Sequence, residues 1–146
     1  VSEGFHMNIK NMSEVIAKIT TAATKIDKAA LYAVGQVGLS LERRVKKNLN
    51  TTTHPRGVGH ITKGDGGYPN RVTGALSRSM FTDLRHETGS YIASVFPTMV
   101  YSRSLELGNP RWKSGVQYPY LKPSFDQERP GMTALFTKKF VERMHS

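Results

Sequence analysis

The stretch that decides the fold is Val15–Leu49, VIAKITTAATKIDKAALYAVGQVGLSLERRVKKNL. Val15, Ile19, Ala23, Ile26, Ala30, Ala33, Val37, Leu41, Val45 and Leu49 recur at steps of three and four residues. That spacing draws one apolar stripe along a helix of roughly nine turns. Lys18, Lys25, Lys28, Glu42 and Lys46 fall off the stripe. The stripe is rich in alanine and includes Gly35 and Gly38 nearby, so a sheet or a second helix can approach closely. Each glycine weakens a helix by roughly 1 kcal/mol against alanine. A bend or break near Gly35–Gly38 is therefore one outcome the sequence allows. A helix this long exceeds what one small globule needs, which hints at packing on neighbours.

Upstream, Asn11 and Glu14 have the spacing of a capping box, with Asn11 as cap and Glu14 reaching back. Before them Phe5, Met7 and Ile9 alternate as in a short strand. At the far end, ERRVKK (Glu42–Lys47) places cations where they complement the helix dipole. Phosphate contact is the sharper alternative for the same residues.

Beyond the helix, residues 50–72 have no period of either kind. They hold five glycines and two prolines, with Arg56, Lys63 and Arg71 against one acid, Asp65. A loop this long in a small domain is functional or disordered. Thr73-Gly74 then punctuates the chain, and ALSRSM begins a helical turn. Ser79–Arg85 and Tyr91–Phe96 read as a β-hairpin around the turn HETGS. Tyr91, Ala93 and Val95 would share one face; Ile92, Ser94 and Phe96 would share the other. A short helix is expected from Pro97-Thr98 to Gly108. Pro119–Phe125 reads as extended, and a last helix is expected from Pro130, since proline suits a first helical position. Its apolar face would be Met132, Leu135, Phe136, Phe140 and Met144. The expected class is α+β: a long N-terminal helix and a C-terminal helix on a small, mostly antiparallel sheet, with a long mobile loop.

The totals bound the rest. The 146 residues suit one domain, 1–146. Mean hydropathy is −0.43, and no apolar run approaches the ~20 residues of a membrane helix. VSEGFHMNIK lacks the apolar stretch of a signal peptide. Cysteine is absent, which excludes disulfides, thiolate metal sites and cysteine nucleophiles. Net charge is +10. Lys and Arg outnumber Asp and Glu by 8 to 4 in residues 1–50, 5 to 3 in 51–89 and 8 to 4 in 90–146. Charge this evenly spread suits a polyanion passing nearby better than one dedicated patch, and equally suits a basic, soluble protein with no nucleic-acid role.

A search for chemistry returns little. In GVGHITKGDGG, Lys63 precedes Gly64, which is not the order of a phosphate-binding P-loop. No two of His6, His54, His60, His86 and His145 stand four apart with a Glu between. Glu106 has no companion acid in a comparable setting. No GxSxG elbow is present. Trp112, Tyr118 and Tyr120 interleave with Arg111, Lys113 and Lys122. That mixture stacks bases or, more often, marks protein interfaces. No cofactor is called for.

Three boxes remain. They are Thr73, Gly74, Leu76 and Ser79; then Tyr101, Glu106 and Gly108; then Pro119, Tyr120, Leu121, Pro123 and Ser124. Their order and spacing, behind a long helix and a variable loop, resemble the tail-component family of long-tailed bacteriophages. The likeness runs over residues 10–145. Asn109 stands where that family usually has threonine, and the 50–72 loop departs in length. The resemblance implies a non-enzymatic virion protein, made in the host cytoplasm, that completes the tail or joins it to the head. It implies a homo-oligomeric ring, a hexamer, in the neck. Its neighbours would be head-completion or connector proteins and tail-terminator or tail-tube proteins, with double-stranded DNA passing through non-specifically and no membrane involved. On that reading Thr73, Gly74, Leu76, Tyr101, Glu106, Trp112 and Tyr120 are interface candidates. Arg56, Lys63 and Arg71 would face DNA, and Thr73-Gly74 would be a hinge between loop and hairpin. The alternative is a small basic nucleic-acid-binding module using ERRVKK and residues 111–122. A small hydrolase or nuclease would need an acid pair or metal set that the sequence does not display.

Overall fold

A computed structural model describes residues 11–51, 68–69, 73–111 and 117–146. The strand expected at Phe5–Ile9, the loop cations Arg56, Lys63 and Arg71, and Trp112 lie outside the described residues. The elements in order are α1 (Met12–Leu49), α2 (Ala75–Arg78), β1 (Met80–Glu87), β2 (Ser90–Pro97), α3 (Ser102–Leu107) and α4 (Leu121–His145). The class is α+β, with two long helices and a two-stranded antiparallel sheet.

Helix α1 runs 38 residues without a break. The glycines that threatened it are where the hairpin sits down. A Cβ built on Gly38 would lie 2.7 Å from Thr82 Cγ2 and 2.9 Å from Ala93 Cβ. One built on Gly35 would meet Leu84 Cδ2 at 3.3 Å. Close packing against the sheet offsets the weak local propensity. The capping box does not form. Asn11 adopts a left-handed conformation, φ 64°, with no side-chain cap bond, and Glu14 pairs with Lys18 at 2.8 Å.

The hairpin pairs Met80 with Pro97 through to Glu87 with Ser90. Its turn is only Thr88-Gly89, and Gly89 takes φ 76°. The strands therefore extend further than the HETGS reading allowed. Two strands alone are marginal in water, and α1 supplies the missing layer. Tyr91 donates to Asp27, Thr82 donates to Glu42 at 2.7 Å, and Ala93 and Leu84 close on the glycines. Of the two faces expected from the alternation, the one carrying Tyr91, Ala93 and Val95 is the one turned to α1. On the opposite face Phe81 and Phe96 meet edge to face at 4.1 Å.

Two helix starts differ from expectation. Helix α3 begins at Ser102, four residues after Thr98. Helix α4 begins at Leu121, leaving Pro130 inside it and not at its first position. Pro123 lies in the first turn, where backbone N–H groups have no intrahelical partner and proline is tolerated. Helix α4 runs antiparallel to α1. Asn48 meets Ser124 and Gln127 at one end, and Arg143 lies over Tyr32 near the other. The five residues expected as its apolar face are all half-buried.

The core is at one end of this layout. Val45, Leu49, Tyr68, Met80, Leu105 and Tyr120 pack together, with Leu41, Leu76, Val95, Tyr118 and Leu121 against them. The stripe on α1 is thus buried or half-buried from Ala30 onward and exposed before it.

Candidate assembly surfaces

The three boxes converge on the core end. Glu106, on α3, reaches across to the start of α4. Its Oε2 accepts from the backbone N–H groups of Tyr120 at 2.7 Å and Leu121 at 2.9 Å, and Oε1 accepts from Lys122 N–H at 2.9 Å. These are the orphan donors of a helix N-terminus, where a carboxylate also meets the positive end of the dipole. Tyr120 is fully buried, and its hydroxyl lies 3.5 Å from the Ser102 carbonyl. Burial pushes that hydroxyl well above the ordinary tyrosine range. Tyr118 N–H donates to the Leu105 carbonyl at 2.8 Å. Gly108 ends α3 at φ 83°.

The first box is a helix start. Gly74 is buried and takes φ 75° at the N-cap of α2, a conformation glycine reaches without a Cβ penalty. Thr73 Oγ1 accepts from Ala75 N–H at 3.2 Å, and the Thr73 carbonyl accepts from Arg78 Nη1 at 2.9 Å. Ser79 Oγ donates to the Leu76 carbonyl at 2.8 Å. Leu76 packs on the core. Gly74, Leu76, Glu106 and Tyr120, expected at an interface, therefore hold their own chain together. Thr73 and Tyr101 remain exposed. Glu106, which in sequence has no companion acid, caps a helix that follows fifteen residues later in the chain.

Sequence reading passed over a polar seam between α1 and α4. Asn48 Nδ2 lies within 3.1 Å of Tyr68 Oη, Ser124 Oγ and Gln127 Oε1. Gln127 Nε2 donates to Tyr68 Oη at 2.7 Å. One turn away Glu128 accepts from Ser40 and from Arg44 Nε, the latter at 2.9 Å. Ser40 first, then Arg44, hold its carboxyl below the ordinary range against the opposing pull of burial. Burial would raise Glu42, but hydrogen bonds from Lys46 and Thr82 outweigh it and leave it lowered. Apart from Ser124 in the third box, no spacing signalled this seam.

The ERRVKK cluster is thereby divided. Arg44 is engaged by Glu128 and Lys46 by Glu42. Arg43 and Lys47 are exposed. Among the described residues no group of three His, Asp or Glu could hold a metal ion, and no helix is long and apolar enough to cross a membrane.

Among the described residues, two apolar surfaces on α1 lack a cover. The first is the N-terminal part of α1, where every residue from Met12 to Lys28 is exposed. Met12, Val15, Ile16, Ile19 and Ile26 share one face, exposed by 41–64%. The second is an open groove of about 340 Å³ between α1, β2 and α4. Val34, Val37, Leu41, Val95, Phe125 and Phe136 line most of it.

The chain matches no family model, no curated protein and no solved structure. The geometry and the sequence boxes carry the functional reading.

Proposed function

We propose that this chain is a structural subunit of a phage neck, assembling into a ring that joins the head connector to the tail tube. The carrying observation is the uncovered apolar stripe on the N-terminal part of α1. Five large aliphatic or thioether side chains on one exposed face form a surface of the kind that marks protein contacts. The boxes that resemble tail-component proteins support the reading from another side. They lock α2, α3 and α4 to the end of α1, and among the described residues nothing packs over the apolar stripe at its other end. The subunit is non-enzymatic on this reading, and DNA passes it without base recognition. Lys18, Lys25, Arg43 and Lys47, all exposed on α1, suit contact with phosphates alone.

Negative-stain microscopy with light scattering over a concentration series tests this. Annular particles of about six subunits are the expected result. A protein that stays monomeric at high concentration, and binds neither head nor tail preparations, would sink it. The nucleic-acid-module reading predicts sequence-selective DNA binding instead. Arg43→Ala with Lys47→Ala is the clean probe for it, because Arg44→Ala also breaks the pair with Glu128.

A further inference from the structure

The exposed arm and the open groove are both parts of α1. Val34, Val37 and Leu41 form the groove's α1 wall, and the arm is the same helix from Met12 to Lys28. An unbroken helix cannot fold back on itself, so within one chain the two surfaces never meet. The arm is about 26 Å long at 1.5 Å per residue. Its apolar side chains, Met12, Val15, Ile16, Ile19, Ala23 and Ile26, recur at the spacing by which an amphipathic helix fills a groove.

Charge narrows the occupant. Two copies of a chain at +10 repel, so a contact between them must avoid the cations. The arm carries three lysines, Lys18, Lys25 and Lys28, against Glu14 and Asp27, a net of only +1. The groove lining contains no charged residue. A nucleic acid or an acidic partner would call for the reverse, a basic arm. A small-molecule ligand fits poorly too. Such sites hold several placed polar groups, and Thr133 is the single hydroxyl in this lining.

We infer that the α1 arm of one copy docks in the α1–β2–α4 groove of a second copy. The contact is heterologous: each chain gives an arm and receives one. Head to tail such contacts propagate until rotation closes a ring, whereas two copies that exchange arms reciprocally form a two-fold, isologous dimer. The inference rests on the assembly reading above and specifies the joint by which it happens.

The chain has no cysteine, which makes cross-linking clean. Ile19→Cys and Phe125→Cys place single thiols on the exposed arm and in the groove. Each variant is checked for native helix content by circular dichroism, then oxidised alone and mixed with the other. The expected result is a covalent pair on mixing and none from either alone. Cross-linking of Ile19→Cys to itself would mean arm on arm and would overturn the inference, as would no cross-link on mixing. Particle mass separates the two readings. Rings without the mixed cross-link sink the arm contact and leave the ring standing. The mixed cross-link in particles of only two chains keeps the arm contact and sinks the ring. As an independent check, Ile16→Asp with Ile19→Asp should lower assembly at least tenfold while the monomer stays folded; unchanged assembly would again overturn the inference.

Discussion

Glu106 shows what one side chain can settle at the residue scale. A carboxylate accepting three backbone N–H groups at a helix start combines charge-assisted hydrogen bonds with the helix dipole. Glu106→Gln keeps the shape and removes the charge. It is expected to cost about 2 kcal/mol, read as a lower urea midpoint with little change in slope. Unchanged stability would mean that the donors find water equally well. Gly38 makes a second point. A methyl there meets Thr82 and Ala93 below 3 Å, so Gly38→Ala should lose roughly 1–3 kcal/mol by overpacking, although alanine is the better helix former. A gain in thermal midpoint would show that the hairpin yields instead.

At the scale of elements, α4 carries a built-in weak point. Pro130 removes one helical hydrogen bond, and Gly131 follows it with open space where a Cβ would be. Gly131→Ala should therefore stabilise by about 0.5–1 kcal/mol, measurable as a raised melting temperature. The α1–α4 joint depends on pH through Glu128. Its folded carboxyl is lowered below its unfolded value, so its contribution is full above the ordinary glutamate pKa and is lost as pH falls through the folded one. Stability should decline from about pH 5 downward. Glu128→Gln should be less stable by roughly 1 kcal/mol near neutrality, with the gap closing in acid. A gap that persists at low pH would rule out the ionised pair as its source.

For the whole molecule the uneven core governs behaviour. Among the described residues burial is concentrated around Val45, Met80 and Tyr120, while Met12–Lys28 is exposed throughout. In the isolated chain, amides of the arm should exchange with solvent far faster than those of Ala33–Leu49. On assembly the arm should become protected. Mass-spectrometric exchange at low and high protein concentration distinguishes this from an arm that stays free.

Much of the architecture was legible in residue periodicity. The stripe from Val15 to Leu49 specified a long helix, and alternation around Thr88-Gly89 specified a hairpin. Both signals are local, since a helix or strand face repeats within a few residues. The start of α4 was not legible. Pro130 obeys the local rule for a helix start, but the cap that sets the true start comes from Glu106, on another element. The fate of Gly35 and Gly38 was hidden in the same way, because the side chains that press on them belong to the hairpin. Nor did the boxes reveal their work within the chain: Gly74 and Tyr120, named as candidates for a subunit interface, are buried inside their own subunit. The sequence by itself determined which faces are apolar, because periodicity is a property of neighbours along the chain. Only the tertiary structure decided which of those faces find a cover, because burial depends on elements distant in sequence, and among the described residues the N-terminal end of α1 finds none.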